Sequence, residues 1–335
     1  MWYVGLDLHP KQATYWVLDE GGQKVMSRTC GGALQTVLRE MSTIKERFAI
    51  CYEASGSYGV FYDELSKIAE RVVVAHPAKL TLIGRATRKN DRFDARKLAK
   101  VLALDMVPGV HVPPKEVRAW RRLIEHRERL VHERTRAKNG IRALFRGLAI
   151  ETPKSLWSKA GLAWVQDYDF ASELDAVQRD ILVERYESLS RMLRSAEKVL
   201  NRMAAHHPGV QLLRTIPGVG VRTAEAVVAY LDDPRRFSRN KSVGTYFGLV
   251  PCQNASAAKN RLGHITREGP ATVRRLLVQA AWQARRRSPE VRAFFERVQR
   301  GDPERKKKAV VATAHYLVRC MHAMLRSGEA WRAAA

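Results

Sequence analysis

Cysteine is scarce and scattered. The chain holds four in 335 residues (Cys30, Cys51, Cys252 and Cys320), and no two form a C-x-x-C pair. That spacing argues against a disulfide framework and a structural zinc site, and it fits a reducing, cytoplasmic setting. Long apolar runs are absent as well. None approaches the roughly 18 residues of a membrane-spanning helix, so no membrane segment is expected. The first residues, Met1 to Asp7, carry no basic stretch ahead of an apolar one, and no secretory leader is expected there. Acidic residues are few: 34 Asp plus Glu stand against 59 Lys plus Arg, a net charge of +25. Charge of one sign on that scale repels itself in a compact chain and calls for a polyanionic partner. Disorder of the whole chain is excluded by an apolar fraction of 45%. At about 150 residues per domain, the length fits two or three domains.

Residues 1–112 read as α/β. Strands are expected at Trp2–Leu8, Ala13–Leu18, Gln23–Cys30, Phe48–Glu53 and Arg71–Ala75, with helices from Gly31-Gly32 to about Glu46 and over 59–70. Three hairpin-linked strands followed by alternating helix and strand is the order of a ribonuclease H-like domain; a doubly wound domain would alternate from the start. Pro113-Pro114 marks a boundary. Over 113–208, apolar residues recur at 4-3 spacing from Leu123 to Leu148 and from Leu182 to Met203, the pattern of two long helices pairing as a coiled coil, either within one chain or between two. Arg127 and Arg134 interrupt that seam. Residues 209–335 form a third, mainly helical and very basic part. Its densest runs, Arg285-Arg286-Arg287 and Arg305-Lys306-Lys307-Lys308, suit either a solvated face or contact with phosphate.

The carboxylates stand in unusual places for so basic a chain. Asp7 interrupts the first apolar strand. Glu53 ends the fourth, just before Ala54-Ser55-Gly56-Ser57. Asp91 and Asp94, three apart at a helix start, share one face. Four carboxylates drawn to one sheet edge would repel one another, and a hard divalent cation, Mg²⁺ or Mn²⁺, would relieve that repulsion. Two such ions about 4 Å apart can stabilise the attacking and leaving oxygens of a phosphodiester. Taken singly, Asp91, Asp94 or Glu53 could each cap a helix. A strand centre, by contrast, is a poor place for an unpaired Asp7.

Two further segments carry chemistry. Thr215-Ile216-Pro217-Gly218-Val219-Gly220-Val221-Arg222-Thr223-Ala224 is similar to the hairpin of a helix-hairpin-helix motif, in which glycines admit a DNA phosphate to backbone amides. From Gly248 to Gly269 runs a polar, glycine-punctuated loop containing Ser256, with Lys259 and Arg261 nearby. A serine among cations can attack a phosphodiester, although most loop serines only make turn hydrogen bonds.

Gly5-Leu6-Asp7, Tyr52-Glu53-Ala54-Ser55-Gly56, Asn90-Asp91-Arg92-Phe93-Asp94-Ala95, Ile216-Pro217-Gly218-Val219-Gly220, and Gly248-Leu249-Val250-Pro251 running to Ile265-Thr266-Arg267-Glu268-Gly269 occur in one order along nearly the whole chain. In these pieces the sequence resembles transposases of the IS110 family of insertion sequences. The resemblance implies a RuvC-like domain, a coiled coil and a C-terminal transposase domain. It implies a DEDD metal site at Asp7, Glu53, Asp91 and Asp94, and a nucleophilic serine at Ser256. The family's serine commonly precedes a glycine; here Ala255 and Ala257 flank it, and Ser242 and Ser238 are the alternatives. It further implies donor and target DNA as substrates, a structured guide, the bridge RNA, as partner, and a homodimer or homotetramer.

Three rival functions differ in what they require. A RuvC-like junction nuclease that uses water needs the four carboxylates but not Ser256. An actin-like phosphotransferase needs a second Gly-rich α/β half, which the helical, basic C-terminal part does not offer. A non-enzymatic nucleic-acid scaffold leaves the carboxylates unexplained. The charge itself is open to test. If many Lys and Arg contact phosphate, log affinity for duplex DNA should fall linearly with log salt, with a slope of about −0.9 per contact. A nearly flat salt titration would assign the +25 charge elsewhere.

Overall fold

The computed structural model describes residues 1–82, 91–256 and 259–332. Asn90 and Ala257, quoted in the motifs above, lie outside the described residues. The chain divides into two compact units, Met1–Arg118 and Ala119–Ala335. The first is a mixed α/β unit, and the second is predominantly helical.

Five strands form the sheet of the first unit: β1 (Trp2–Leu8), β2 (Gln12–Leu18), β3 (Lys24–Gly31), β4 (Phe48–Glu53) and β5 (Arg71–Ala75). Their order is β3-β2-β1-β4-β5. β1, β2 and β3 run antiparallel, whereas β4 and β5 run parallel to β1 and to each other. Every expected strand is present. The expected helices are shorter: α1 is Leu34–Ser42 and α2 is Tyr58–Leu65. α2 stops early because the chain must turn into β5, and Glu70 N–H already donates to Phe48 O at 3.0 Å. The fifth strand ends at Ala75 as expected, and Pro77 just beyond it opens α3 (Pro77–Leu82), where its fixed φ and missing N–H cost nothing.

Alternation sorts the β1 side chains between two cores. Val4 and Leu6 point to α1 and α2, among Val37, Met41, Phe61 and Leu65. Tyr3, Gly5 and Asp7 point to the other face. There α4 (Asp91–Ala103) packs with Leu98 and Leu102 against Ala49 and Cys51 of β4. Gly5 sets how close α4 can come. A Cβ at that position would collide with Ala95 O and Ala99 N of the helix backbone. Only glycine fits, and Ala95 and Ala99 are correspondingly small and fully buried.

In the second unit, α5 (Lys115–Gly147) and α7 (Glu173–His206) lie antiparallel as an intramolecular hairpin. Leu130, Ala137, Leu189 and Leu193 are buried together. Arg127 does not disrupt the seam, because its guanidinium pairs with Glu197 of α7 at 2.5 Å and with Glu128 at 2.5 Å. Two expected seam residues are exposed, Leu148 (42%) and Met203 (37%). Leu148 follows the last residue of α5, and a straight helix drifts about 20° per heptad away from a 4-3 row. Between the two helices, α6 (Lys159–Asp167) brings Trp164 against Phe145, with Tyr168 and Phe170 alongside.

The remaining elements are α8 (Pro208–Leu213), α9 (Val221–Leu231), α10 (Asn240–Tyr246), the hairpin β6 (Pro251–Ser256) and β7 (Lys259–Ile265), α11 (Ala271–Arg287), α12 (Pro289–Gln299) and α13 (Lys306–Ser327). The stretch expected as a loop around Ser256 is therefore a two-stranded antiparallel hairpin. Polar anchors tie α5 to this unit. Glu125 accepts from Tyr230 Oη at 2.6 Å and from Thr272 Oγ1 at 2.7 Å, and buried Glu128 pairs with Arg275.

Gly5 gives the sharpest test of this packing. Gly5→Ala should destabilise the first unit by about 3 kcal/mol or more, since two backbone atoms must move. Gly56→Ala, whose added methyl meets nothing within 4 Å, should change stability by less than about 0.5 kcal/mol. Equal denaturation midpoints for the two variants would refute the close approach.

Candidate functional site

Asp7 is delivered by β1, one residue beyond Leu6, which pairs with Tyr52 of β4. Glu53 is likewise one residue beyond Tyr52 and ends β4, while Asp7 is the last residue but one of β1, so the two carboxylates lie near the same ends of neighbouring parallel strands, on the α4 face. α4 brings Asp91 and Asp94 in its first turn. The structure joins these residues unequally. Asp7 and Asp91 converge: one oxygen from each, together with a nitrogen of His9, all lie within 4.8 Å of one another. Asp94 stands close enough for its charge to act on Asp7. Glu53 is exposed, and no described side chain forms a hydrogen bond or ion pair with it.

Asp7 is largely enclosed. Its side chain is only 16% exposed, and Oδ2 is buried without a hydrogen-bond partner. Burial lifts its pKa above the ordinary carboxylate value; His9 opposes the shift, while Asp91 and Asp94 add to it. Asp91 makes no described cap contact. Its Oδ2 instead accepts from Gln12 Nε2 at 2.6 Å.

The motif reading did not single out His9 and Gln12. His9 Nε2 lies 3.2 Å from Asp7 Oδ2 and 3.9 Å from Asp91 Oδ1. His9 N–H donates to Gln12 O at 2.9 Å, which closes the β1–β2 turn and fixes both residues beside the carboxylates. The available signal was alternation: His9 stands two residues after Asp7 and so falls on the same face.

In the second unit, Ser256 ends β6, its backbone paired with Lys259. Ser242 lies in α10, and Ser238 is exposed ahead of it. The two glycines of the 215–224 turn have separate tasks. Gly218, at φ +90°, lies against the backbone of Ala284 in α11, where any side chain would clash. A Cβ on Gly220 would meet nothing within 4 Å, so the start of α9 is open at that point.

Comparison with known proteins assigns a class. Residues 4–150 match the family model for the DEDD domain of IS110 elements, described as Transposase. Residues 210–296 match the model described as Transposase IS116/IS110/IS902 family. A putative transposase, y4pF/y4sB, of Sinorhizobium fredii is 26% identical over 258 residues, 73% of this chain and 65% of that protein. The transposase for insertion sequence element IS1328 of Yersinia enterocolitica is 29% identical over 196 residues, 58% of each chain. The transposase for insertion sequence element IS1111A of Coxiella burnetii is 30% identical over 204 residues, 58% of this chain and 54% of that protein. The chain thus spans less than two thirds of the length of the first relatives it matches. It belongs to the IS110 family of insertion-sequence transposases.

The raised pKa of Asp7 has a sign that can be measured. A carboxyl whose folded pKa is raised is costly when ionised, so it lowers stability above that pKa and has no such effect below the unfolded value near 3.9. In EDTA, Asp7→Asn should therefore raise the melting temperature at pH 7. The gain should vanish as the pH falls through the carboxylate range. Glu53→Gln, at an exposed position, should leave the melting temperature at pH 7 unchanged. A lower melting temperature for Asp7→Asn at pH 7 would mean that the buried carboxylate is already satisfied.

Proposed function

We propose that this chain cuts and rejoins DNA as the transposase of an insertion sequence. The observation that carries the reading is the convergence of a buried Asp7 oxygen with an Asp91 oxygen and a His9 nitrogen, all within 4.8 Å of one another, near the end of β1. The strand order β3-β2-β1-β4-β5, with only β2 antiparallel to both its neighbours, supports a ribonuclease H-like, RuvC-like first domain. Family membership supports the remainder: a DEDD set of Asp7, Glu53, Asp91 and Asp94, donor and target DNA, a guiding bridge RNA, and a cytoplasmic setting.

The donor set fits a divalent ion, Mg²⁺ or Mn²⁺. Hard oxygens of Asp7 and Asp91 converge, and Asp7 Oδ2 is buried with only His9 beside it at 3.2 Å. When bound, such an ion supplies Lewis acidity to the phosphodiester oxygens. Asp7 and Asp91 would hold it, with Asp94 and Glu53 completing the site as nucleic acid enters.

Ser256 is the nucleophile in this reading. Its Oγ attacks phosphorus, a serine–phosphate ester forms, and the strand's leaving oxygen departs. The ester retains the energy of the broken bond, so another strand's hydroxyl can reverse the step without ATP. Gly220 and the amides that open α9 bind phosphate backbone, which positions DNA without reading its sequence. In this reading the domains are 1–112, a coiled-coil helical region over 113–208, and 209–335. An exposed row on α7 (Leu174, Val177, Ile181, Met192, Val199 and Met203) supports a homodimer or homotetramer, as concerted strand exchange requires.

A stalled reaction tests the nucleophile. DNA should remain attached to the protein through boiling in detergent and be released by protease. Ser256→Ala should lose the adduct and several orders of magnitude of recombination, and Asp91→Asn should lose both as well. Near-normal recombination by Ser256→Ala, with Ser242→Ala inactive, would move the nucleophile to Ser242. Cleavage without any adduct would leave a water-using nuclease.

A further inference from the structure

We infer that His9 is itself a ligand of the ion held by Asp7 and Asp91, and that it tilts the site toward transition-metal ions over Mg²⁺. The inference rests on the metal reading above. His9 Nε2 is 3.2 Å from Asp7 Oδ2, the oxygen that is buried without a hydrogen-bond partner. It is also 3.9 Å from Asp91 Oδ1. Gln12 already occupies the other Asp91 oxygen, Oδ2, at 2.6 Å, which leaves Oδ1 as the oxygen turned toward His9. The three atoms that face one another are thus two carboxylate oxygens and one imidazole nitrogen. They come from a strand, the turn that follows it and a helix start, all held in register by the β1–β2 turn and the seat of α4 on Gly5.

Donor chemistry sets the consequence. Mg²⁺ favours oxygen and water and gains little from an imidazole, whereas transition ions bind nitrogen readily. A histidine acting only as counter-charge to Asp7 and Asp91 would change the affinity of every divalent ion alike. Ligation separates the two ions.

The test uses the full chain freed of nucleic acid. Mn²⁺ is titrated with free ion read by electron paramagnetic resonance, and Mg²⁺ is measured by competition. His9 is 53% exposed, so His9→Ala leaves both cores of the first unit untouched, which far-ultraviolet circular dichroism checks. The Mn²⁺ dissociation constant should rise about tenfold or more, the scale seen when support for a metal site is removed, while that for Mg²⁺ changes less than about threefold. In the wild-type chain, substoichiometric Mn²⁺ should broaden the His9 ring resonances. Unchanged Mn²⁺ affinity in His9→Ala, or an equal loss for both ions, would overturn the ligand assignment and leave the metal reading standing. Mn²⁺ binding that survives Asp7→Asn would overturn the metal reading itself.

Discussion

The contact between Gly5 and the backbone of α4 is the constraint on which the first unit depends. A helix can lie that close to a strand only where the strand offers no Cβ and the helix answers with Ala95 and Ala99. The gain is positional. Asp7 is two residues along β1 from Gly5, and Asp91 and Asp94 are one turn or less along α4 from Ala95, so the same contact that closes the core brings three carboxylates to one edge. A looser seat for the helix would open the packing of Leu98 and Leu102 and move Asp91 and Asp94 away from Asp7. Gly5-Leu6-Asp7 is therefore one device, in which the glycine sets the distance at which the aspartate can act.

Convergence of like charges is unfavourable by itself, and the structure does not relieve it fully. Asp7 retains a buried oxygen with no hydrogen bond, and its neighbours Asp91 and Asp94 deepen the penalty. Other enclosed carboxylates have cationic or hydroxyl partners. Glu128 is buried between Arg127 and Arg275, and Glu125 accepts two hydroxyl hydrogen bonds. Glu225, buried in the second unit 2.9 Å from Arg222, likewise keeps an oxygen without a hydrogen bond, and burial raises its pKa to about 7. What sets Asp7 apart is the second carboxylate, Asp91, that converges on it together with His9.

Much of the first unit was legible in the sequence because its strands are short, apolar and bounded by glycine or proline. All five appear with ends shifted by at most one residue. Helix lengths were less legible. α2 ends where the chain must reach β5, a tertiary demand that no local pattern carries. The long helices were visible from their 4-3 rows, but Arg127 could not be placed until Glu197 and Glu128 surrounded it. The hairpin at Ser256 was hidden by composition: Gln253, Asn254 and Ala255 read as loop, and only pairing across to Leu262, Arg261 and Asn260 makes them a strand. Asp7 was found because a strand centre is a costly place for a carboxylate. His9 escaped notice because a single histidine beside a proline carries no motif, and its meaning comes from the face on which Asp7 lies.

The central claim is that Asp7 and Asp91 form a metal-holding centre around which the first unit is built. Crystals of the chain grown with Mn²⁺, measured near the manganese absorption edge, address it directly. An anomalous peak within bonding distance of an Asp7 oxygen and an Asp91 oxygen, lost in Asp7→Asn crystals grown the same way, is the expected result. Strong Mn²⁺ peaks bound elsewhere, with none between β1 and α4, would contradict it.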